Sequence, residues 1–256
     1  MDGGVEALAA LGEKTIWEGC AAYRSAPGVT VGHRWFLTGS GYAGLNGVFL
    51  PAHGPIDLAT ASAPFRAAGV PMLWHLPPDA PKELDGRLAG AGYRFEEAEP
   101  MMVCDLNEVG AAAIQPAGLT IRRVTDRRDL ARFAEVWMGV STAEVVADVV
   151  RLRSANGFGP QARFEHLLGF AEGRPVACAA VFHGSAAAEV QHIVTSRGER
   201  RRGFGSAMTA AALAAVRSRG GRTAVLTASP QGEGIYSALG FRAVGVVRRF
   251  AWDPPL

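Results

Sequence analysis

The sequence predicts an α/β protein of two domains, residues 1–115 and 116–256, each a mixed, twisted sheet flanked by helices. Three observations predict it. The chain has 256 residues, more than the ~100–150 of a common single domain. Its hydrophobic share is 48% and its charged share 20%, the balance of a chain that can bury a core. A weakly patterned run at 109–117, Val-Gly-Ala-Ala-Ala-Ile-Gln-Pro-Ala, separates two regions in which short strand patterns alternate with helical ones.

The second region reads in order. Leu119 to Val124 alternates apolar and polar residues, as a half-buried strand does. Thr125 or Asp126 offers an N-cap, with Asp129 in the first turn, for a helix through Leu130, Phe133, Val136 and Trp137. A second helix over 143–153 sets Val145, Val146, Val149 and Leu152 on one face, and Asn156-Gly157 ends it. Strands follow at 165–172, 175–183 and 189–195, with Gly173-Arg174 as the first hairpin turn. A helix over 203–219 stops at Gly220-Gly221. A strand at 223–227, a short helix at 234–239 and a strand pair within 241–252 complete the series.

The first region echoes the end of the second. Gly69-Val-Pro-Met-Leu-Trp-His-Leu-Pro-Pro78 parallels Gly221-Arg-Thr-Ala-Val-Leu-Thr-Ala-Ser-Pro230, and Ala91-Gly-Tyr-Arg94 parallels Leu239-Gly-Phe-Arg242. Asp105 follows Gly92 at the interval at which Asp253 follows Gly240. A diverged duplication fits this pattern, and so does a chance likeness between two strand–helix–strand units.

Several function classes are excluded. A formal charge of +2 gives no electrostatic footprint for nucleic acid. Cys20, Cys104 and Cys178 form no metal-ligand spacing, nor do His33, His53, His75, His166 and His183, so no metal is expected. The N-terminus lacks the pattern of a secretory signal, and no apolar run is long enough to span a membrane. Reduced thiols, a cytoplasmic location and no membrane partner are the expectation.

One segment carries chemistry. Arg200, Arg201, Arg202, Gly203, Phe204, Gly205 and Ser206 lie between a strand and a helix. The glycines permit tight backbone geometry, and the free N–H groups of a helix start, with the positive end of its dipole, suit a pyrophosphate. A solvated basic turn before a helix would look the same. The segment lacks the Gly-Lys-Ser/Thr ending of a nucleotide P-loop and the third glycine of a dinucleotide fingerprint.

The flanking residues make the segment specific. Arg200, Gly203 and Gly205 match Gln/Arg-x-x-Gly-x-Gly/Ala, the signature of the GNAT acetyltransferases, which residues 119–252 resemble over nearly their whole length. Val190-Gln-His-Ile-Val-Thr195 resembles the family's splayed fourth strand, and Tyr236-Ser-Ala-Leu-Gly-Phe241 its Tyr-x-x-Leu-Gly-Phe element. The resemblance implies two GNAT-like folds in tandem, the first degenerate and without a glycine loop. The first half's Pro51-Ala-His-Gly-Pro55 is too short and proline-bound to cradle a phosphate.

It also implies acetyl-CoA as co-substrate, held by the 200–206 loop and by Ile193, Val194 and Thr195. Ser229 and Gly232 stand where the family often has an asparagine and a small residue, so the asparagine's hydrogen bond is missing. Tyr236 matches the family's general acid, and Glu189 matches the base of the histone acetyltransferase branch. His192 is a second base candidate, expected to point opposite Glu189 by strand alternation. The Ile193 N–H matches the position that faces the acetyl carbonyl oxygen, and Trp137 is a candidate for the acceptor pocket. The implied reaction is direct transfer of acetyl to a primary amine, a small molecule or a peptide N-terminus, by a monomer or homodimer. The alternative is a non-catalytic acyl-CoA sensor or assembly module.

Overall fold

The computed structural model describes residues 3–50, 57–110, 115–139 and 141–255. The Pro51–Pro55 stretch and part of the 109–117 run lie outside the described residues. The chain opens with helix α1 (Gly3–Ala21), which sequence reasoning did not assign. Its sheet-facing side carries glycine in place of a large apolar residue: a Cβ on Gly12 would collide with Met101 Sδ. Small residues on the buried face mute the apolar periodicity that marks a helix. Three short strands follow, β1 (Thr30–Gly32), β2 (Trp35–Leu37) and β3 (Gly47–Phe49). Helix α2 (Leu58–Ala68) is capped by Asp57, whose side chain accepts from the N–H groups of Ala59 and Thr60. Strand β4 (Met72–Leu76), helix α3 (Glu83–Gly90) and strand β5 (Arg94–Asp105) complete the first half.

The second half follows the expected order. Strand β6 (Thr120–Arg123) leads to α4 (Arg127–Met138), whose N-cap is Asp126, accepting from the Asp129 N–H. Helix α5 (Ala143–Ser154) is capped by Thr142. Strands β7 (Phe164–Ala171), β8 (Arg174–His183) and β9 (Ala188–Thr195) form a meander. The first hairpin turn is Glu172-Gly173, both at positive φ, one residue earlier than expected; Arg174 already belongs to β8. Helix α6 (Phe204–Ser218), strand β10 (Thr223–Thr227) and helix α7 (Glu233–Ala238) come next. The expected final strand pair is one long strand, β11 (Arg242–Trp252). It spans a register shift at Ala243/Gly245 and continues, because a bulge bends a strand without ending it.

Among the described residues all strands join one sheet, in the order β1-β2-β3-β4-β11-β5-β10-β9-β8-β7-β6. The halves therefore do not close separately. Strand β11 crosses to pair with β4, and β5 crosses to pair with β10. The central register is two-fold related. Arg94 pairs Ala251 and Arg242 pairs Val103; Phe95 pairs Phe250 and Ala243 pairs Met102. The outer pairs agree: Met72 opposes Trp252 as Ala224 opposes Cys104, and His75 opposes Arg249 as Thr227 opposes Met101. One core cluster draws on both halves, with Ile16, Phe36, Phe49 and Met101 packed together with Val149, Leu152, Phe164 and Phe182. The boundary at 115/116 divides the sequence between β5 and β6, while the sheet and this core run across it.

Candidate active site

The site begins where β9 and β10 part. These parallel strands pair only at Ala188/Ala224 and Glu189/Val225. Beyond Glu189, β9 bulges: its register with β8 jumps from Gln191↔Ala180 to Val194↔Cys178, leaving His192 and Ile193 opposite Ala179 alone. His192 takes a φ of 55°, a left-handed conformation that bends the strand away from β10.

A groove of about 570 Å³ runs from this gap to the start of α6. Ile193, Val194 and Thr195 line one side, and Ser229, Gly232, Ile235 and Tyr236 the other. Arg200, Arg201, Gly203, Gly205 and Ser206 form its end. Gly203 is the helix N-cap at φ 77°, with no side-chain cap on the first turn. A left-handed N-cap followed by free N–H groups is a fitting cradle for a phosphate. Two loop residues depart from expectation. Arg202 pairs with Glu199 and covers the Phe204 ring at 4.6 Å, so its charge is turned from the groove. The Phe204 ring is buried with Leu119, Ala171, Val176 and Ala207, which leaves its backbone to face the groove.

A second cavity, of about 340 Å³, lies beyond the gap. The two share Ile193, Ser229 and Tyr236. Its walls come from both halves: Gly19, Cys20, Tyr23, His75, Glu97 and Glu99 from the first, and Trp137, Arg153, Glu189, His192 and Arg249 from the second. Helix α1 roofs it closely, since a Cβ on Gly19 would stand 3.0 Å from Glu189 Oε2.

Residues 140–253 match the family model described as an acetyltransferase (GNAT) domain. That stretch, somewhat under half of the chain, is similar to a GNAT acetyltransferase domain. The GCN5-related N-acetyltransferase from Kribbella flavida shares its fold at a TM-score of 0.71 and 22% identity, over 97% of this chain and 96% of that one. A functionally unknown conserved protein from Staphylococcus epidermidis aligns with a TM-score of 0.62 and 12% identity, over 88% and 93% of the two chains. A tandem GNAT protein from the clavulanic acid biosynthesis pathway aligns with 0.54 and 14%, over 79% and 72%. These likenesses are of fold. No curated protein matches the sequence. The GNAT family uses acetyl-CoA, and the groove here ends on the uncapped first turn of α6.

Tyr236 stands where the two cavities meet. Burial, with Glu99 adding to it, pushes its phenol up to about 12, so it holds its proton at neutral pH. Gly232 has a packing reason of its own: a Cβ there would meet the Tyr236 ring at 2.7 Å. Burial raises the Glu189 carboxyl to about 7, against the lowering pull of Arg153 and Arg249. That value suits a base working near neutrality.

His192 lines the same cavity as Glu189 rather than the opposite face, because the bulge breaks strand alternation. Its ring lies 3.6 Å from that of Trp137. Arg153 Nη2 donates to its Nε2 at 2.6 Å. A guanidinium only donates, so Nε2 is the accepting nitrogen and is occupied. Burial first, then Arg153 and His166, hold the imidazole well below its usual range. The Glu189 carboxyl carries no such direct contact with Arg153 and is raised rather than lowered.

Sequence reasoning missed the charged frame of the acceptor side. Arg249 Nη1 bonds Glu97 at 2.6 Å and Glu99 at 2.7 Å, its Nη2 donates to Thr227 Oγ1 at 3.1 Å, and its Nε donates to His75 Nδ1 at 3.3 Å. Glu97 and Glu99 sit two apart on β5, a spacing that signals one face of a strand. Their partner is 152 and 150 residues away in sequence and leaves no local trace. Among the described residues no group of three or more His, Cys, Asp or Glu could hold a metal, and no helix is long and apolar enough to cross a membrane.

Proposed function

We propose that the protein transfers acetyl from acetyl-CoA to a primary amine in a ternary complex. One observation carries this reading: the groove from the α6 start and the charged cavity meet at Ile193, Ser229 and Tyr236, so donor and acceptor can touch there and nowhere else along the groove. Acetyl-CoA supplies an activated acetyl thioester when bound. Gly203, Phe204, Gly205 and Ser206 offer backbone N–H groups to its phosphates, with Arg200 and Arg201 beside them; Val194 and Thr195 flank the pantetheine path.

Glu189 takes the proton from the acceptor ammonium. The Ile193 N–H, at the bulge, stabilises charge developing on the carbonyl oxygen. A C–N bond forms, the C–S bond breaks, and Tyr236 gives its phenolic proton to the departing thiolate; the second proton that the acylated nitrogen sheds restores the phenol, and the proton on Glu189 passes to solvent. The acceptor is a small molecule rather than a nucleic acid or a membrane surface, because the cavity is at the small end of ligand pockets.

We also read the chain as a tandem pair of GNAT-like units that exchange their last strands. The two-fold register of β5 with β11 supports this at every paired position, including both bulges; a chance likeness of two strand–helix–strand units has no reason to extend to register. The first unit contributes the roof and the β5 wall of the acceptor cavity and no glycine loop.

The test is release of free CoA thiol with acetyl-CoA over a panel of amines. Turnover with at least one small primary amine is expected. Tight CoA binding with no turnover on any amine would reduce the protein to an acyl-CoA sensor and overturn the enzyme reading.

A further inference from the structure

The chain has four tyrosines. Three of them, Tyr23, Tyr42 and Tyr236, line the second cavity. The fourth, Tyr93, lies in the core of the first half, where its hydroxyl donates to Ser62 Oγ and accepts from Arg66. The hydroxyls of the three cavity tyrosines bond no described residue. Tyr42 is 38% exposed, so solvent serves it. Tyr236 has its task at the thiolate. Tyr23 is only 5% exposed and has neither. An unpaired hydroxyl at that depth is costly unless something in the cavity completes it.

The Tyr23 ring is held in place. It stacks on Phe164 at 5.9 Å with 11° between the planes, and it meets Phe36 at 5.9 Å. The Arg153 guanidinium carbon lies 5.2 Å from its centre. Two donors of Arg153, Nε and Nη1, are unpaired as well, but protein encloses them. The Tyr23 hydroxyl is not enclosed in this way and opens on the cavity. Tyr23 sits in the short 3-10 turn Ala22–Ser25 that continues α1. It follows Gly19 by four residues, about one helical turn, and Gly19 is the residue that backs Glu189. Glu189 Oε2 is taken by Gln191 Nε2 at 3.1 Å, and its other oxygen bonds no described residue. Burial foremost raises the Tyr23 phenol above its ordinary value, and Glu189 adds to the shift, so the hydroxyl keeps its proton.

A primary ammonium brings three N–H groups. Glu189 takes one proton, and a second restores the phenol of Tyr236. The third stays on nitrogen as the N–H of the amide, and neither of those residues serves it. We propose that Tyr23 Oη accepts this third N–H and thereby selects primary over secondary amines. The nitrogen is then held on two sides, with the lone pair left by Glu189 directed at the acetyl carbon. Tyr23 keeps its own proton throughout. A secondary amine carries carbon where the third N–H would be, and it leaves the buried hydroxyl unpaired.

This rests on the acetyltransferase reading above, and the experiment separates the two. Ethanolamine, benzylamine and butylamine are compared with their N-methyl counterparts, as substrates in the thiol-release assay and as ligands of the CoA-saturated protein by calorimetry. The wild type is expected to favour the primary amine. Tyr23→Phe should lower kcat/KM for primary amines by about 30-fold, the scale of a hydrogen bond to a charged group, and for N-methyl amines by less than about threefold. The KM for acetyl-CoA and the melting temperature should not fall, because the ring keeps its stack and no protein hydrogen bond is lost. A packing role would lower both kinds of substrate alike, together with the melting temperature, and would overturn the proposal. Should the variant fail to fold, the wild type decides: N-methyl amines turned over as well as primary ones would refute the role of Tyr23 and leave the enzyme reading standing. Primary amines bound in preference, with no turnover, would uphold the Tyr23 contact and refute the enzyme reading. Neither kind bound nor turned over would refute both.

Discussion

Helices α3 and α7 end alike. The Tyr93 N–H bonds Leu88 O, the Phe241 N–H bonds Tyr236 O, and Gly92 and Gly240 take φ values of 85° and 92°. The strands that follow share one two-fold register. Yet Leu88 is fully buried in the core, whereas Tyr236 lines both cavities. The neighbouring parallel strands differ in the same sense. Strands β3 and β4 stay paired through Phe49 and His75, and the Leu50 N–H still bonds His75 O. Strands β9 and β10 part after Glu189 and Val225. The same scaffold is shut on one side and open on the other, and the opening coincides with the left-handed bulge at His192. A scaffold of this kind becomes a site by losing pairing rather than by gaining elements.

The comparison can be broken most strongly at the groove's end, a feature without counterpart in the described part of the first half. Gly203→Glu sets a side chain at φ 77° and a negative charge on the helix start. We expect loss of acetyl-CoA affinity by more than about 100-fold, from strain, bulk and like charge together. Retained affinity in a calorimetric titration would remove the loop from the cofactor site.

Tyr236→Phe tests the residue that most separates the two sides. A drop in kcat of about 100-fold with acetyl-CoA affinity unchanged is expected for a lost general acid. Equal rates across the pH range would make Tyr236 a packing residue like Leu88.

Glu189 sharpens the contrast through pH. With its carboxyl raised to about 7, the basic form accumulates as pH rises through 7, so kcat/KM climbs there. Glu189→Gln should lower the rate and flatten that limb; an unchanged profile would assign the base elsewhere. The stability sign is opposite. The folded state binds this proton more readily than the unfolded chain, so its contribution is complete below the ordinary carboxyl value and is lost as pH rises to about 7. In Glu189→Gln that slope of melting temperature disappears.

The smallest effect lies on the shut side. A Cβ on Gly47 would stand 3.0 Å from the Leu73 carbonyl oxygen, so Gly47→Ala strains the β3/β4 pairing by about 1–2 kcal/mol. A lower melting temperature with unaltered kcat is expected. A changed kcat would mean that the shut side also tunes the site.

Much of this was legible locally. The cap at Thr125 or Asp126, the three successive strands and the Gly203 helix start all act over a few residues, and the family spacing from Glu189 to Phe241 lies within one continuous stretch. The echo between 69–105 and 221–253 was legible as well, though only as a pattern with two explanations. The misses share a cause. Helix α1 packs through Gly12 and Gly19, which carry no hydrophobic signal, and Arg202 reads as one more cation of the loop until its pairing with Glu199 is seen. The Glu97–Arg249–Glu99 frame and the unpaired donors of Arg153 depend on strands and helices far apart in sequence. His192 was turned to the wrong face because strand alternation holds only where no bulge intervenes.

The sequence by itself therefore determined the element order of the second half, the GNAT loop and the identity of Tyr236 and Glu189 as candidates, since these follow from short-range periodicity and spacing. The tertiary structure decided that β5 pairs with β10 and β11 with β4, each across the two halves, that the first half walls the second cavity, and that Arg153 is buried beside it without an ion pair among the described residues. Those outcomes depend on which edges pair across more than a hundred residues, and no local propensity encodes that choice.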